Sequence, residues 1–349
     1  MRLFQHPSPS SPHISHTSRS AALAKAPGLA ALVQTVLDET SPPMMLLPEA
    51  LRRFSAGKKE LSTKQEETAF RLCHSGGVWG EYGNTWEFIE NDGEGERKGW
   101  RARNFVKFMS YIKELFNTEE IVLNAIDWEA AGDATVVDVS PPLPLNKQTP
   151  KLTPHKLGGS AGHDTIPLAT RFPNLTITIQ DLAQVSPVFH STFPSSLRSR
   201  VNFQTHNLFD PQPVSADIYI LKWILHDWPD KESVEILKAL VPAMKKGSRV
   251  LFIDYVGTED GPTSSSSETS APTTTGQEKR GQEEEELPRS LRAFGTATDM
   301  RMMALFNARE RPVSAWREIF RRADERYEVV RVERGEGAFM CVLEAVWRG

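Results

Sequence analysis

Hydrophobic and polar positions along the chain follow two different periods, and the change falls near Trp128. Before it, apolar residues recur at helical spacing. Leu29, Leu32, Val33 and Val36 form one set, and Phe105, Phe108, Met109 and Ile112 another. This predicts helices joined by polar loops over residues 21–118, with 91–99 (NDGEGERKG) a solvated loop. After Trp128 the pattern becomes short β-rich apolar runs: 135–139 (TVVDV), 175–181 (LTITIQD), 216–225 (ADIYILKWIL) and 248–256 (SRVLFIDYV). Such runs suit strands buried on both faces of a mostly parallel sheet. Between the last two, Val234, Leu237, Leu240, Val241 and Met244 place one apolar face on a helix over 231–246, with Asp230 as N-cap and Gly247 as stop. Residues 327–334 and 338–346 predict an antiparallel pair at the sheet edge. The expectation is therefore an α/β domain over 119–349 behind a helical region.

Three stretches break the pattern. Residues 257–288 are rich in Ser, Thr, Gly and Glu and include the acidic run Glu283 to Glu286. They hold too little apolar surface to offset the entropy of ordering, which predicts a disordered loop. Residues 1–20 are Pro- and Ser-rich and read as a disordered end, with a weak likeness to an organelle transit peptide. Residues 140–157 (SPPLPLNKQTPKLTPHKL) interrupt a text that otherwise runs TVVDV-GGSAGHDTIPLATRFP.

Composition narrows the classes of function. The 349 residues carry 41 Lys and Arg against 45 Asp and Glu, a formal charge of −4, with no basic stripe, so nucleic acid is not an expected partner. No apolar run approaches the ~18 residues that cross a bilayer. Cys73 and Cys341 provide neither a disulfide framework nor zinc-ligand spacing, which suits a reducing cytoplasm and predicts no metal.

The interrupted text is a strand, a glycine-rich turn and a helix opening. Asp138 sits near the strand end, and Gly158 and Gly159 begin the turn. Glycines let backbone approach a nucleotide-like ligand, and the helix start offers free N–H groups. The next strand ends at Asp181, a carboxylate placed for ribose hydroxyls. On this pattern alone a nicotinamide-dependent oxidoreductase is equally served.

Four further strings separate the readings: ADIYILKWILHDWPDKESVEILK, KGSRVLFIDY, LRAFGTATDMRMM and FNARERPVSAWREIF. With HTSRSAAL and FVKFM near the start, they resemble the plant and fungal O-methyltransferases that include the caffeic acid methylating enzymes. The resemblance covers nearly all of the chain and is most specific over 216–254. It implies a Rossmann-like class I methyltransferase domain, S-adenosylmethionine as cofactor, and a small aromatic hydroxyl compound of fungal secondary metabolism as acceptor. In that family the His of the HDW string is the general base, which assigns the role to His226. Two acidic residues bracket the base, and their positions match Asp254 and Glu310. Asp254 is shorter than the Glu often found there. The resemblance also implies cofactor contacts for Lys222, for Asp181 with Leu182, and for Asn207 with Leu208. Asn207 stands where the family usually has Asp, and it carries no charge. The family's longer N-terminal part makes a dimer, so 21–118 reads as a truncated dimerisation and substrate-lid region whose homodimer is in question.

The residue types suit the chemistry. A phenol near pKa 10 would lose a proton to free imidazole near 6.5 at a cost of about 5 kcal/mol. A positioned base that takes the proton as the methyl bond forms avoids most of that cost. Met300, Met302 and Met303 are candidates for an aromatic pocket, and Trp128 and Trp223 for packing anchors. The rival to an enzyme is a catalytically impaired or non-catalytic relative, retained as a binding or regulatory partner or made inactive by residues 140–157. A gene-level reading accounts for that stretch: Val139-Ser140 and Lys156 permit intron boundary codons, and excising the 18 residues 139–156 leaves VVD-L-GGSAG.

Overall fold

The computed structural model describes residues 3–139, 162, 164–183, 185–257, 289–334 and 340–349. The expectations for 140–157, for Gly158 and Gly159, and for 258–288 lie outside the described residues.

The two helical stripes of the N-terminal half pack against each other. Helix Pro27–Gln34 brings Ala31 and Leu32 onto Phe105, Phe108, Met109 and Ile112 of helix Trp100–Leu115. The first of these continues through a π-helical turn, Thr35–Thr40, that buries Thr35, Glu39 and Thr40. Residues 92–99 form the predicted loop, exposed over 94–98, with a 3-10 turn at Gly95–Arg97. Asp92 accepts from Trp100 Nε1 at 3.1 Å and Arg101 Nε at 2.7 Å, which ties the segment to the following helix. The N-terminal end, expected to be disordered, follows a defined path. Strands β1 (Phe4–Gln5) and β2 (Ser15–His16) pair antiparallel, and Thr17 caps helix Ser18–Lys25 while donating to Leu3 O. Among the described residues, no single helix is long and apolar enough to cross a membrane.

From residue 135 the chain builds one seven-stranded sheet from β3 (Thr135–Val139), β4 (Thr176–Asp181), β5 (Val201–Thr205), β6 (Ile218–Lys222), β7 (Arg249–Asp254), β8 (Tyr327–Arg334) and β9 (Cys341–Trp347). The spatial order is β5-β4-β3-β6-β7-β9-β8, with β9 antiparallel to both its neighbours and the other pairs parallel. Alternate residues leave a strand on opposite faces. Val137, Tyr219, Leu221 and Phe252 enter one core with Leu237, Trp316 and Phe320 of helices Asp230–Leu240 and Val313–Ala323. Val136, Ile218, Ile220 and Ile253 enter the other with Leu168 and Phe189 of helices Thr165–Arg171 and Ser186–Thr192. Burial on both faces explains why these strands read as unbroken apolar runs.

Several boundaries differ from the pattern. Strand β5 was not expected, because Asn202 and Gln204 break its apolar run and it lies at the sheet edge. The run 216–225 stops being a strand at Lys222. Helix Asp230–Leu240 has Pro229 as its cap, and it tightens into a 3-10 turn at Val241–Ala243, where Pro242 removes a donor. The predicted antiparallel pair at the sheet edge forms, with β8 outermost.

Candidate active site

The parallel strands end together, and the side chains that follow them form the site. Strand order turns about β3: the chain goes outward to β4 and β5, then returns to β6 on the other side. Ligands of open α/β sheets bind beyond the carboxyl ends at such a switch point. Asp138 on β3, Asp181 at the end of β4 and Lys222 at the end of β6 stand around it.

Beyond Lys222 the backbone makes an unusual turn. Trp223 adopts φ 54°, a left-handed conformation that a bulky residue accepts only when its surroundings impose it. Its N–H is held by Ile253 O at 3.0 Å, and its ring is partly buried between the sheet and the N-terminal helices. The reversal leads into the 3-10 turn Leu225–Asp227, which presents His226 beside the end of β7. Arg311 locks this turn from behind. It is fully buried, and it donates to Trp228 O at 2.7 Å and Asp230 Oδ1 at 2.8 Å. Its loop carries Glu310, so the bonds of Arg311 fix the acid relative to the histidine. Neither Trp223 as a turn nor Arg311 as a lock was foreseen. The only signal for Arg311 was its place beside Glu310 in NARER.

His226, Asp254 and Glu310, predicted from three separate strings, come together. Nδ1 of His226 lies 3.1 Å from Glu310 Oε1 and 3.4 Å from Asp254 Oδ1. Asp254 is fully buried and Glu310 nearly so, and Asp254 Oδ2 and Glu310 Oε2 have no hydrogen-bond partner. The shorter Asp254 therefore still reaches the imidazole. Tyr255 N–H donates to Asp254 Oδ1 at 2.8 Å, and Asp299 Oδ1 accepts from Glu310 N–H at 2.8 Å. Burial pulls the imidazole pKa down, but Asp254, Glu310 and Asp227 outweigh it and push it up to about 10. Burial likewise raises the Asp254 carboxyl, with Glu310 adding to the rise and His226 opposing it. One ligand atom from each of the three residues lies within 4.8 Å of the others, a spacing that would also admit a cation.

On the other side of the switch point the geometry is mixed. Asp138, buried and raised to about 6 chiefly by burial, accepts from Thr165 Oγ1. Asp181 Oδ1 accepts from Leu182 N–H at 2.7 Å, and Leu208 is buried while Asn207 is exposed and bonds Phe209 N–H at 3.2 Å. The Lys222 ammonium reaches Asp164 at 2.7 Å and Thr118 Oγ1 at 3.3 Å. Gly162 has φ 95°, and a Cβ there would stand 2.6 Å from the Phe193 ring, so this end of the glycine run admits only glycine. Of the candidate methionines, Met302 packs with Phe70, Phe88 and Phe306, whereas Met300 is exposed. Two open clefts, one lined by Asn124, Arg249, Arg331 and Glu344 and one by Lys238, Arg322 and Asp324, lie at the far end of the strands. They hold none of this chemistry.

Comparison with known proteins places the arrangement. The family described as the O-methyltransferase domain matches residues 152–324. O-methyltransferase lcsG of Purpureocillium lilacinum is 39% identical over 338 residues, covering 96% of this chain. The chain spans 64% of that relative's length. Among solved structures, mitomycin 7-O-methyltransferase MmcR superposes with TM-score 0.67 at 18% identity, covering 99% of this chain and 79% of its own. NcsB1, an O-methyltransferase solved with S-adenosylmethionine and 2-hydroxy-5-methyl naphthoic acid, gives 0.65 at 20%, covering 99% and 81%. The sheet order and the helices on both faces are thus those of the class I methyltransferase fold, and the chain is similar over nearly all of its length to fungal O-methyltransferases.

Proposed function

We propose that this chain transfers a methyl group from S-adenosylmethionine to a phenolic hydroxyl of a small aromatic compound, with His226 as general base. The observation that carries this reading is the imidazole held through Nδ1 by two buried carboxylates, Asp254 at the end of β7 and Glu310 on the loop before helix Val313–Ala323. A proton on Nδ1 donated to Glu310 leaves the Nε2 lone pair to accept the proton of the acceptor hydroxyl. The carboxylates then stabilise the imidazolium as it forms. A base raised to about 10 matches a phenol near 10, so proton transfer between them is close to balanced, where free imidazole would leave it about 5 kcal/mol uphill.

S-adenosylmethionine supplies an electrophilic methyl group, which calls for no metal. The residues present suit it on their chemistry. A buried carboxylate ends β4 where a ribose diol would lie. Asp181, Leu182, Asn207 and Leu208 would hold the nucleoside, with Asp138 beside them. Lys222, now paired with Asp164, would face the cofactor's carboxylate end. Alignment of methyl and hydroxyl across the ends of β3, β6 and β7 supplies much of the remaining acceleration.

The direct test is incubation with methyl-labelled cofactor and a panel of phenols, followed by mass spectrometry. Labelled ether products are expected. A protein that neither binds the cofactor in a calorimetric titration nor labels any phenol would refute the proposal.

A further inference from the structure

Buried polar atoms in folded proteins nearly always find a partner, so a local group of exceptions calls for an explanation. Four such atoms occur on the N-terminal side of the site: Glu39 Oε1, Thr40 Oγ1, Arg101 Nη1 and Arg301 Nε are buried without a hydrogen bond. They come from three elements that pack together. Glu39 and Thr40 end the π-helical turn, a form frequent at functional sites, and Arg101 Nη1 lies 3.5 Å from Glu39 Oε1. Arg301 belongs to helix Arg289–Phe306, which packs against both the π-helical turn and the 3-10 turn of His226. Its guanidinium stands 5.7 Å from the Phe108 ring centre.

The charges in this group are not balanced alike. Arg101 is neutralised by Asp92 at 2.7 Å, Glu39 at 3.5 Å and Asp38 at 3.6 Å. Arg301 has no carboxylate within 4.0 Å among the described residues, although it feels Asp227, Glu39 and Glu310 at longer range. Burial raises the Glu39 carboxyl to about 7, against the pull of Arg101 and Arg301, so near neutral pH it can donate a hydrogen bond. Beside an anion it would be protonated more fully still. The unused capacity is thus mostly that of donors: the Arg301 Nε–H, the Thr40 hydroxyl and a protonated Glu39. The Arg301 Nε–H and the Thr40 hydroxyl lie on elements that pack together, and a guanidinium with no carboxylate partner suits an acceptor carboxylate.

We propose that Glu39, Thr40, Arg101 and Arg301 form a specificity subsite that binds a carboxylate of the acceptor, away from the hydroxyl that His226 deprotonates. The inference rests on the proposed methyl transfer and adds the class of acceptor: an aromatic hydroxy acid. Arg301 joins the two ends of the molecule, since its helix touches the catalytic turn on one side and the N-terminal helices on the other.

The test compares a hydroxynaphthoic acid, with hydroxyl and carboxylate on different rings, against naphthol. Wild-type protein should prefer the acid in kcat/KM by about tenfold or more, mainly through KM. Arg301→Met should abolish the preference, Arg301→Lys should retain part of it, and Thr40→Val should reduce it with little disturbance of shape. Melting temperatures show which variants fold, and Thr40→Val decides the matter if Arg301→Met does not. Calorimetric binding of the acid to cofactor-loaded protein, lost on Arg301→Met, reads the same subsite without turnover. It separates failure of this inference from failure of the methyl-transfer reading. Equal preference in wild type and Arg301→Met, or no binding of the acid to wild type, would overturn the subsite and leave ordered water as the occupant.

Discussion

At the scale of the residue, the proposed chemistry turns on one imidazole and the carboxylates that face it. Burial alone would hold His226 below its ordinary pKa, yet Asp254, Glu310 and Asp227 lift it to about 10. The base must be neutral to act, so kcat/KM should climb with pH toward that value. Replacing Glu310 by Gln removes one of the raising charges, so the imidazole pKa falls. The rising limb of the Glu310→Gln profile should shift to lower pH while its plateau drops, since the imidazolium of the transition state loses a partner. A limb that stays in place would show that Glu310 does not act on the titrating base.

At the scale of the element, much was legible because burial on both faces writes a simple pattern. The runs around Val136, Ile220 and Leu251 are apolar throughout since both cores claim them, and four of the five parallel strands were readable for that reason. Strand β5 was not, because an edge strand interrupted by the polar Asn202 and Gln204 leaves no such trace. The candidate site was legible through His226, Asp254 and Glu310, which lie in distinctive strings. The left-handed turn at Trp223 and the anchoring by Arg311 depend on tertiary contacts that local patterns do not encode. The break after Val139 also belongs to this scale. Val139 is the last residue of β3, buried and paired with Gln180 and Leu221. Deleting residues 139–156 would put Leu157 at that apolar position and join Asp138 to the glycines. The shortened protein should bind S-adenosylmethionine more tightly than the full chain in calorimetry. Equal or weaker binding would show that the stretch is neutral or required.

At the scale of the whole molecule, the sheet places two kinds of group along one edge. Acids that suit a nucleoside gather at β3 and β4, and the base with its carboxylates at β6 and β7, so a bound cofactor and acceptor would meet between them. Asp181→Ala tests the first half. Loss of a charged hydrogen bond, about 1.5–3 kcal/mol, should weaken cofactor affinity by roughly one to two decades, and unchanged affinity would put the ribose elsewhere. The second half carries the central claim, and single-turnover methyl transfer by His226→Ala protein saturated with S-adenosylmethionine tests it most directly. The account predicts transfer slower by about 10²–10⁴-fold with cofactor affinity nearly intact. Transfer at the wild-type rate would contradict it.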